Sequence, residues 1–232
     1  MTKTDMPRQL TFDLPSEPAL GRGDFFVSPG NAVAVDVIQT WHDWPNGKLV
    51  LVGPKGSGKT HLAHVWASLT DARIVAAQGL GEQDVPALAG GPVAVENADR
   101  IAGIASDEAA LFHLHNLCAA QGAPLLITAS LAPARWGLSL PDLASRMQGS
   151  AVATLAPPDD ALLAAVLVKL FTDRQITVEA GLISYLVGRM ERSFAGAGQL
   201  VQALDEVALE ARKPITKALA KAVLDKLPPS AA

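Results

Sequence analysis

This sequence contains little cysteine, few aromatic residues and no cluster of basic residues, and each shortage excludes a class of protein. Its 232 residues include one cysteine, Cys118, so an internal disulfide is excluded and a cytoplasmic location is expected. Aromatic residues make up 5% of the chain and hydrophobic residues 49%, so a core would consist mainly of Ala, Leu and Val. The net charge is -4 without a Lys/Arg cluster, which argues against direct sequence-specific DNA binding.

Long apolar segments are lacking as well. The longest apolar run covers residues 161–168, which is too short to span a bilayer. The first residues do not form the apolar region of a secretory signal. We therefore expect no membrane association.

Short apolar segments alternate with helical patterns over the first two thirds of the chain. Residues 60–69 and 108–121 have the period of a helix. The segments that we predict as strands are residues 48–52, 72–77, 92–96, 124–128 and 150–155. This alternation predicts an α/β fold with a five-stranded parallel sheet that is covered by helices on both faces.

The pattern changes at the segment Ala156-Pro-Pro-Asp-Asp160. Asp159 or Asp160 is expected to cap the first of the helices that follow. The helical patterns beyond this point cover residues 160–174, 179–190, 196–211 and 215–227. We therefore predict three parts, which are an N-terminal tail (residues 1–20), an α/β domain (residues 21–156) and a small all-helical domain (residues 157–232).

The most specific motif is a phosphate-binding loop of the form G-x-x-x-x-G-K-[ST]. A predicted strand precedes it and a predicted helix follows it, which is the context that this motif requires. Its glycines let backbone N–H groups surround phosphates, while the lysine contacts the β- and γ-phosphates and the final hydroxyl binds Mg²⁺. An ordinary glycine-rich turn is the alternative. The residues that match are Gly53, Pro54, Lys55, Gly56, Ser57, Gly58, Lys59 and Thr60.

The acidic site that should accompany the loop departs from the usual pattern. Glu96 ends the predicted strand at residues 92–96 and is expected to hold Mg²⁺, directly or through water. The next residue is Asn97, whose amide cannot accept a proton as a general base. Asp99 is a candidate replacement, and a plain surface aspartate is the alternative. The sequence therefore predicts nucleotide binding with slow intrinsic ATP hydrolysis.

Near the N-terminus, residues 9–14 are apolar at every second position. Leu10, Phe12 and Leu14 would share one face of an extended segment. From this pattern alone, the segment is either an edge strand of the domain or a peptide ligand for another protein.

The phosphate loop and its surroundings resemble the DnaA-related family of AAA+ ATPases. The loop continues with His61 and Leu62, as it typically does in that family. Phe26 and Val27 open a segment that resembles the one leading into the adenine pocket. The resemblance covers roughly residues 21–227, and it implies an AAA+ core with a helical lid that binds ADP or ATP with Mg²⁺.

Further along the chain, Thr128 and Ser130 fall where the family has its polar sensor 1 residue. Residues 140–146 are similar to the family element Leu-Pro-Asp-Leu-x-Ser-Arg, so Arg146 inherits the role of an arginine finger toward nucleotide held by a neighbouring subunit. The family's sensor 2 arginine falls on Gly198. Arg192 is the nearest arginine before it and a candidate replacement, with a solvated helix-end charge as the alternative.

Within this family the sequence is most similar to regulators of replication initiation. DnaA itself continues into a basic DNA-binding domain, whereas this sequence ends at Ala232, so we expect no initiator activity. The resemblance implies an adaptor that binds the DNA polymerase III sliding clamp and stimulates hydrolysis of ATP bound to DnaA. The clamp would bind a peptide of the type Gln-Leu-x-Leu-x-Leu, to which Gln9, Leu10, Phe12 and Leu14 correspond.

Two other classes of protein fit part of the pattern. An autonomous AAA+ ATPase of the helicase-loader type would favour an intact acidic pair and a DNA-contacting surface, and neither is apparent. A small-molecule kinase would need a lid that binds its acceptor, and the helical C-terminal region and the Arg146 element argue against it. The sequence leaves open whether ADP or ATP is the working ligand and whether the chain forms a homodimer or a higher oligomer.

Overall fold

A parallel sheet lies at the centre of the computed structural model, which describes Ser28, residues 30–211 and residues 213–226. Five strands form this sheet in the order β2-β3-β4-β1-β5, and every neighbouring pair is parallel. The prediction of an α/β fold with a five-stranded parallel sheet is therefore confirmed. The strands are β1 (Lys48–Val52), β2 (Arg73–Ala76), β3 (Val93–Glu96), β4 (Leu125–Ala129) and β5 (Ala151–Thr154).

Nine α-helices accompany the sheet within the described part of the chain. The bounds of α2, α4 and α6 to α9 differ by up to three residues from those expected, because helix ends depend on caps and local contacts as well as on periodicity, and no bounds were predicted for α1, α3 and α5. They are α1 (Ala32–Gln39), α2 (Lys59–Thr70), α3 (Val85–Ala89), α4 (Ala105–Gln121), α5 (Pro141–Gln148), α6 (Asp160–Asp173), α7 (Ala180–Val187), α8 (Phe194–Ala211) and α9 (Lys217–Leu224).

The two faces of the sheet pack against different helices, because neighbouring strand residues point to opposite faces. Val50 and Ile127 belong to a buried cluster that includes Leu111 of α4. Leu51 belongs to a second cluster, which contains Trp66 of α2. Burial on both faces explains why β1 and β4 read as continuous apolar runs in the sequence.

Beyond Leu155, the described elements are all helical, and they have a core of their own. This third cluster contains Leu167, Leu186, Leu200 and Val223, one residue from each of α6 to α9. Asp159 caps α6, since its carboxylate accepts a hydrogen bond from Leu162 N at 2.8 Å. The boundaries of the three predicted parts stay a prediction, and the proposed tail lies outside the described residues. None of the described helices is long and apolar enough to cross a bilayer.

One buried carboxylate connects the start of α4 to the segment that leads into α5. Glu108 is only 1% exposed, and its two oxygens accept hydrogen bonds from Gly103 N at 2.7 Å, Ser139 N at 3.0 Å and Leu140 N at 2.7 Å. Burial alone would raise the pKa of the Glu108 carboxyl, but the three backbone donors outweigh it and hold the pKa below its ordinary value. The ionised form therefore stabilises the fold.

Replacing Glu108 by Gln should destabilise the protein by about 1.5–3 kcal/mol at neutral pH, the usual range for hydrogen bonds to a charged group. Glutamine offers one acceptor oxygen to three N–H donors, and its own NH₂ group would face one of them. Urea unfolding followed by circular dichroism measures the effect. Glu210→Gln, at an exposed position of α8, is the matched control and should leave the unfolding midpoint unchanged.

The difference between wild type and Glu108→Gln should depend on pH. Because the folded-state pKa of Glu108 is depressed, its contribution is complete above the ordinary glutamate pKa of about 4.3 and is lost as the pH falls through the folded-state value. The two unfolding curves should therefore approach each other in acid. A gap that stays constant from neutral pH to strong acid would contradict the charged role of Glu108.

Candidate functional site

The phosphate loop connects the buried strand β1 to helix α2, as the sequence predicts. Gly56 has φ +78° and Gly58 has φ +97°, a region of backbone conformation that favours glycine. Gly53 is also sterically confined, because a Cβ there would lie 2.6 Å from Ser57 Oγ and 2.8 Å from Leu155 O. The glycines of the motif are therefore required by the local geometry.

Lys59, the first residue of α2, is turned back onto this loop. Its ammonium donates hydrogen bonds to Gly53 O at 2.6 Å and to Pro54 O at 2.9 Å, and the residue is 7% exposed. Burial lowers the pKa of the Lys59 ammonium below its ordinary value, and the positive charge of Arg100 lowers it further. The negative charges of Asp99 and Glu96 act in the opposite direction. The Lys59 ammonium thus lies near the acidic residues at and just beyond the end of β3.

The predicted metal and catalytic residues after β3 and β4 lie at the same edge of the sheet as the loop. Thr128 is 1% exposed, and its hydroxyl accepts a hydrogen bond from Asn97 N at 3.1 Å. Asn97 has φ +58°, a conformation that asparagine tolerates better than most residues. The structure thus brings Glu96, Asn97 and Thr128 together beside Lys59.

The geometry around Glu96 fits the predicted magnesium site. Its Oε1 is buried and has no hydrogen-bond partner among the described residues, so this acceptor is available to a cation or water. Thr60 lies in the first turn of α2, where its hydroxyl is exposed. Mg²⁺ commonly takes only one or two protein ligands together with substrate phosphates, so Thr60 and Glu96 would suffice as its protein ligands.

Helix α8 of the helical region contacts the phosphate loop directly, which the sequence did not indicate. Phe194 N donates to Gly56 O at 3.1 Å. A Cβ on Gly56 would lie 2.2 Å from Ser193 Cβ, and one on Gly58 would lie 2.8 Å from the Phe194 ring. Glycine is therefore required at these two positions for two reasons, the positive φ angle and the close approach of α8. No sequence motif indicates this contact.

The two candidates for a sensor 2 residue have different surroundings. An ideal Cβ on Gly198 would have no heavy atom within 4 Å, so nothing in the described structure surrounds that position closely. The Arg192 guanidinium donates to Asp160 and to Pro158 O, at the start of α6. Arg192 is thus engaged with the segment that leads into the helical region, and its role toward nucleotide stays a prediction.

Arg146 is exposed near the end of α5, at the opposite edge of the sheet from the loop. Helix α5 leads into the amino end of β5, where Ala151 is in register with Leu49, whereas the loop follows the carboxyl end of β1. From Leu49 to Gly53 the strand rises roughly 13 Å, at about 3.3 Å per residue. Arg146 therefore lies far from the phosphate loop of its own chain.

Two buried basic groups lie close enough to Arg146 to respond to its charge. Lys48 Nζ lies 3.3 Å from His115 Nδ1. Burial lowers the pKa of His115 to about 4, and the nearby charges of Lys48 and Arg146 act in the same direction. Burial also lowers the pKa of Lys48, with Cys118 opposing the shift and Arg146 adding to it. Arg146 thus lies near two buried basic groups whose pKa values its charge helps to lower.

Several predicted site residues fall outside the described residues and stay predictions. They are the adenine-segment residues Phe26 and Val27 and the peptide residues Gln9, Leu10, Phe12 and Leu14. Within the described part of the chain, no group of three or more His, Cys, Asp or Glu side chains is arranged to hold a metal ion. His61, which the family resemblance associates with the loop, is half-buried in the first turn of α2.

The fold of this chain is similar to that of several solved structures. Domain III of the Thermotoga maritima replication initiation protein DnaA matches with a TM-score of 0.77 and 17% identity, covering 91% of this chain and 98% of that one. AMPPCP-bound DnaA from Aquifex aeolicus matches with a TM-score of 0.67 and 16% identity, covering 84% and 68%. A Thermotoga maritima RuvB variant gives 0.64 and 17%, covering 83% and 65%. No protein-family model matches the sequence.

These likenesses establish the class of fold. The chain has the AAA+ P-loop fold, with the parallel sheet and helices that this fold requires and with a phosphate loop between β1 and α2. Because the identities are below 20%, the comparisons show the fold of this chain and do not show its ligand or its partners.

Replacing Lys59 by Ala should weaken the binding of ADP and ATP by at least about tenfold, since a hydrogen bond to a charged group contributes about 1.5–3 kcal/mol and 1.4 kcal/mol is a factor of ten. Isothermal titration calorimetry measures the affinity. The variant should remain folded, which a cooperative melting curve checks. Lys221→Ala, at an exposed position of α9, is the control. Unchanged nucleotide affinity in Lys59→Ala would rule out the phosphate-loop assignment.

Proposed function

We propose that this chain is a nucleotide-binding regulator of replication initiation similar to the DnaA-related protein Hda. In this proposal it binds an adenine nucleotide with Mg²⁺, attaches to the DNA polymerase III sliding clamp through its N-terminal peptide, and supplies an arginine finger to DnaA. The finger stimulates hydrolysis of the ATP that DnaA holds, which inactivates the initiator.

The observation that carries nucleotide binding is the phosphate loop, in which Lys59 lies between the loop carbonyls and the acidic residues after β3. The AMPPCP bound to DnaA in a structure of the same fold supports an adenine nucleotide as the ligand. Lys59 would contact its phosphates, and the loop N–H groups would surround them. Mg²⁺ held by Thr60 and Glu96 would neutralise charge on the β- and γ-phosphate oxygens.

The position of Arg146 supports action on a partner's nucleotide. This residue lies at the sheet edge opposite its own phosphate loop, so it is suited to ATP held by a neighbouring molecule. The start of α5 is fixed by the hydrogen bond from Leu140 N to Glu108. A helix anchored in this way would present the guanidinium in a defined orientation, which arginine fingers require to stabilise charge on the transferred phosphoryl group.

The proposal is tested as a whole by reconstitution. ATP-loaded DnaA would be incubated with this protein, with the sliding clamp loaded on DNA, and with each component omitted in turn. We expect hydrolysis of DnaA-bound ATP to accelerate only when the protein and the clamp on DNA are both present. Equal hydrolysis with and without the protein would refute the regulatory role.

Replacing Arg146 by Ala should abolish this stimulation while leaving nucleotide and clamp binding intact. Arginine fingers contribute about 10³–10⁵ in rate where they act on phosphoryl transfer. Arg146→Lys should also fail, since lysine lacks the planar fork that pairs with phosphate oxygens. The rate of ADP formation on DnaA measures the effect.

Arg135→Ala serves as the control, because it removes another exposed arginine of the same domain. It should retain full stimulation. If Arg146→Ala stimulates as well as wild type, the finger is supplied by another residue, and DnaA itself becomes the candidate.

Replacing Gln9, Leu10, Phe12 and Leu14 together by Ala should abolish clamp binding. Each apolar side chain would contribute about 1.5–3 kcal/mol on burial in a groove, against about 1–2 kcal/mol per residue for ordering the backbone. We therefore expect a weak contact for the wild-type peptide, micromolar or weaker, strengthened where several copies bind one ring. Surface plasmon resonance on immobilised clamp measures the binding.

The matched control is the double substitution Thr11→Ala and Asp13→Ala, which changes the intervening positions of the same segment. It should keep most of the clamp affinity. The quadruple variant should keep its melting temperature and nucleotide affinity. A large drop in its melting temperature would instead identify the segment as an edge strand of the domain.

A further inference from the structure

We propose that Asp99 is the carboxylate that orients and deprotonates the attacking water when this chain hydrolyses its own ATP. This inference rests on the proposed binding of ATP at the phosphate loop. It assigns to Asp99 the role that Asn97, the residue directly after Glu96, cannot take because an amide is not a general base.

A continuous set of hydrogen bonds anchors Asp99 beside the phosphate loop. Its Oδ2 accepts from Ser130 N at 2.9 Å, and Ser130 follows Ala129, the last residue of β4. Gly53 N donates to Ala129 O at 3.2 Å, and Gly53 O accepts from the Lys59 ammonium at 2.6 Å. Asp99 is therefore connected to the same backbone that holds Lys59.

One oxygen of Asp99 remains for chemistry. Oδ1 is buried and has no hydrogen-bond partner among the described residues, while Oδ2 is held by Ser130 N. A purely structural aspartate would be expected to satisfy both buried oxygens. This asymmetric arrangement fixes the carboxylate in position and leaves an acceptor for a proton or a water molecule.

Glu96 and Asp99 can then divide two tasks. Glu96 ends β3 and has its own unpartnered buried oxygen, which suits a magnesium ligand. Asp99 lies three residues further on, in the short helical turn after Asn97, and is held on the β4 side. Both carboxylates act on the pKa of Lys59 in the upward direction, which agrees with their position beside the ammonium.

The reaction that we assign is an in-line displacement by water. The water oxygen forms a bond to the γ-phosphorus while the bond from this phosphorus to the β–γ bridging oxygen breaks, and its electron pair leaves with ADP. Asp99 accepts one proton of the attacking water and returns it to the released phosphate. Water and ATP are the only reactants, and ADP and inorganic phosphate are the products.

The test compares Asp99→Asn with Asp99→Ala. The asparagine oxygen can still accept the hydrogen bond from Ser130 N, whereas alanine cannot, so a structural anchor and a general base predict different results. We expect both variants to lose single-turnover ATP hydrolysis by about 10²-fold or more, the lower end of the range for a positioned acid or base. Asp225→Asn, at the exposed end of α9, is the control and should hydrolyse at the wild-type rate.

A second readout follows the bound nucleotide rather than the rate. Each protein would be incubated with ATP, separated from free nucleotide by gel filtration, and its bound nucleotide identified by chromatography. Wild type should carry ADP, while Asp99→Asn should carry ATP. Calorimetric affinities for ADP and AMPPCP should be the same in both, which separates loss of chemistry from loss of binding.

Two results would overturn the assignment of Asp99. They are hydrolysis by Asp99→Asn at the wild-type rate, whether or not Asp99→Ala loses it, and wild-type protein that binds ATP without any detectable hydrolysis. In each of these cases nucleotide binding itself would stand. Failure of the wild-type protein to bind any adenine nucleotide would instead refute the proposed function, and this inference with it.

Discussion

The alignment of the carboxyl ends of β1, β3 and β4 determines where every polar group of the candidate site lies. Strand β4 stands between the other two, and the residues at its end bond in both directions. Ala129 O accepts from Gly53 N on the side of the phosphate loop. Thr128 Oγ1 and Ser130 N bond Asn97 and Asp99 on the side of the acidic segment. A shift of β4 by one residue would turn Thr128 to the other face of the sheet and would break its hydrogen bond with Asn97 N.

The glycines of the phosphate loop have a second constraint that the motif does not reveal. Gly56 and Gly58 lie against Ser193 and Phe194 at the start of α8, closer than any side chain would allow. The backbone that would surround phosphates is thus the same backbone that the helical region contacts. Any change in the loop on binding phosphate must be transmitted to α8 or must break this contact, since protein interiors do not deform continuously.

The fold and the phosphate loop could be predicted from the sequence because both depend on local patterns. Segments such as residues 48–52 are apolar and bounded by turn residues, and the loop motif occupies a fixed spacing. The position of Asp99 could not be predicted, since it depends on a contact with Ser130, which is 31 residues away. The contacts of Arg192 with Asp160 and of Phe194 with the loop depend in the same way on how the helical region packs.

Helix α4 holds two other segments of the chain through adjacent acidic residues at its start. Asp107 accepts hydrogen bonds from Gly79 N and Gly81 N, both at 2.9 Å, and so holds the segment after β2. Glu108 holds Leu140 N, where α5 begins, and α5 ends near Arg146 at the opposite edge. Because carboxylates near a helix N-terminus are also favoured by the helix dipole, these bonds gain stability from the helix that carries them. Helix α5 is therefore connected by hydrogen bonds at its start to the helix that packs on the sheet, so the same domain has its phosphate loop at one edge of the sheet and Arg146 at the other.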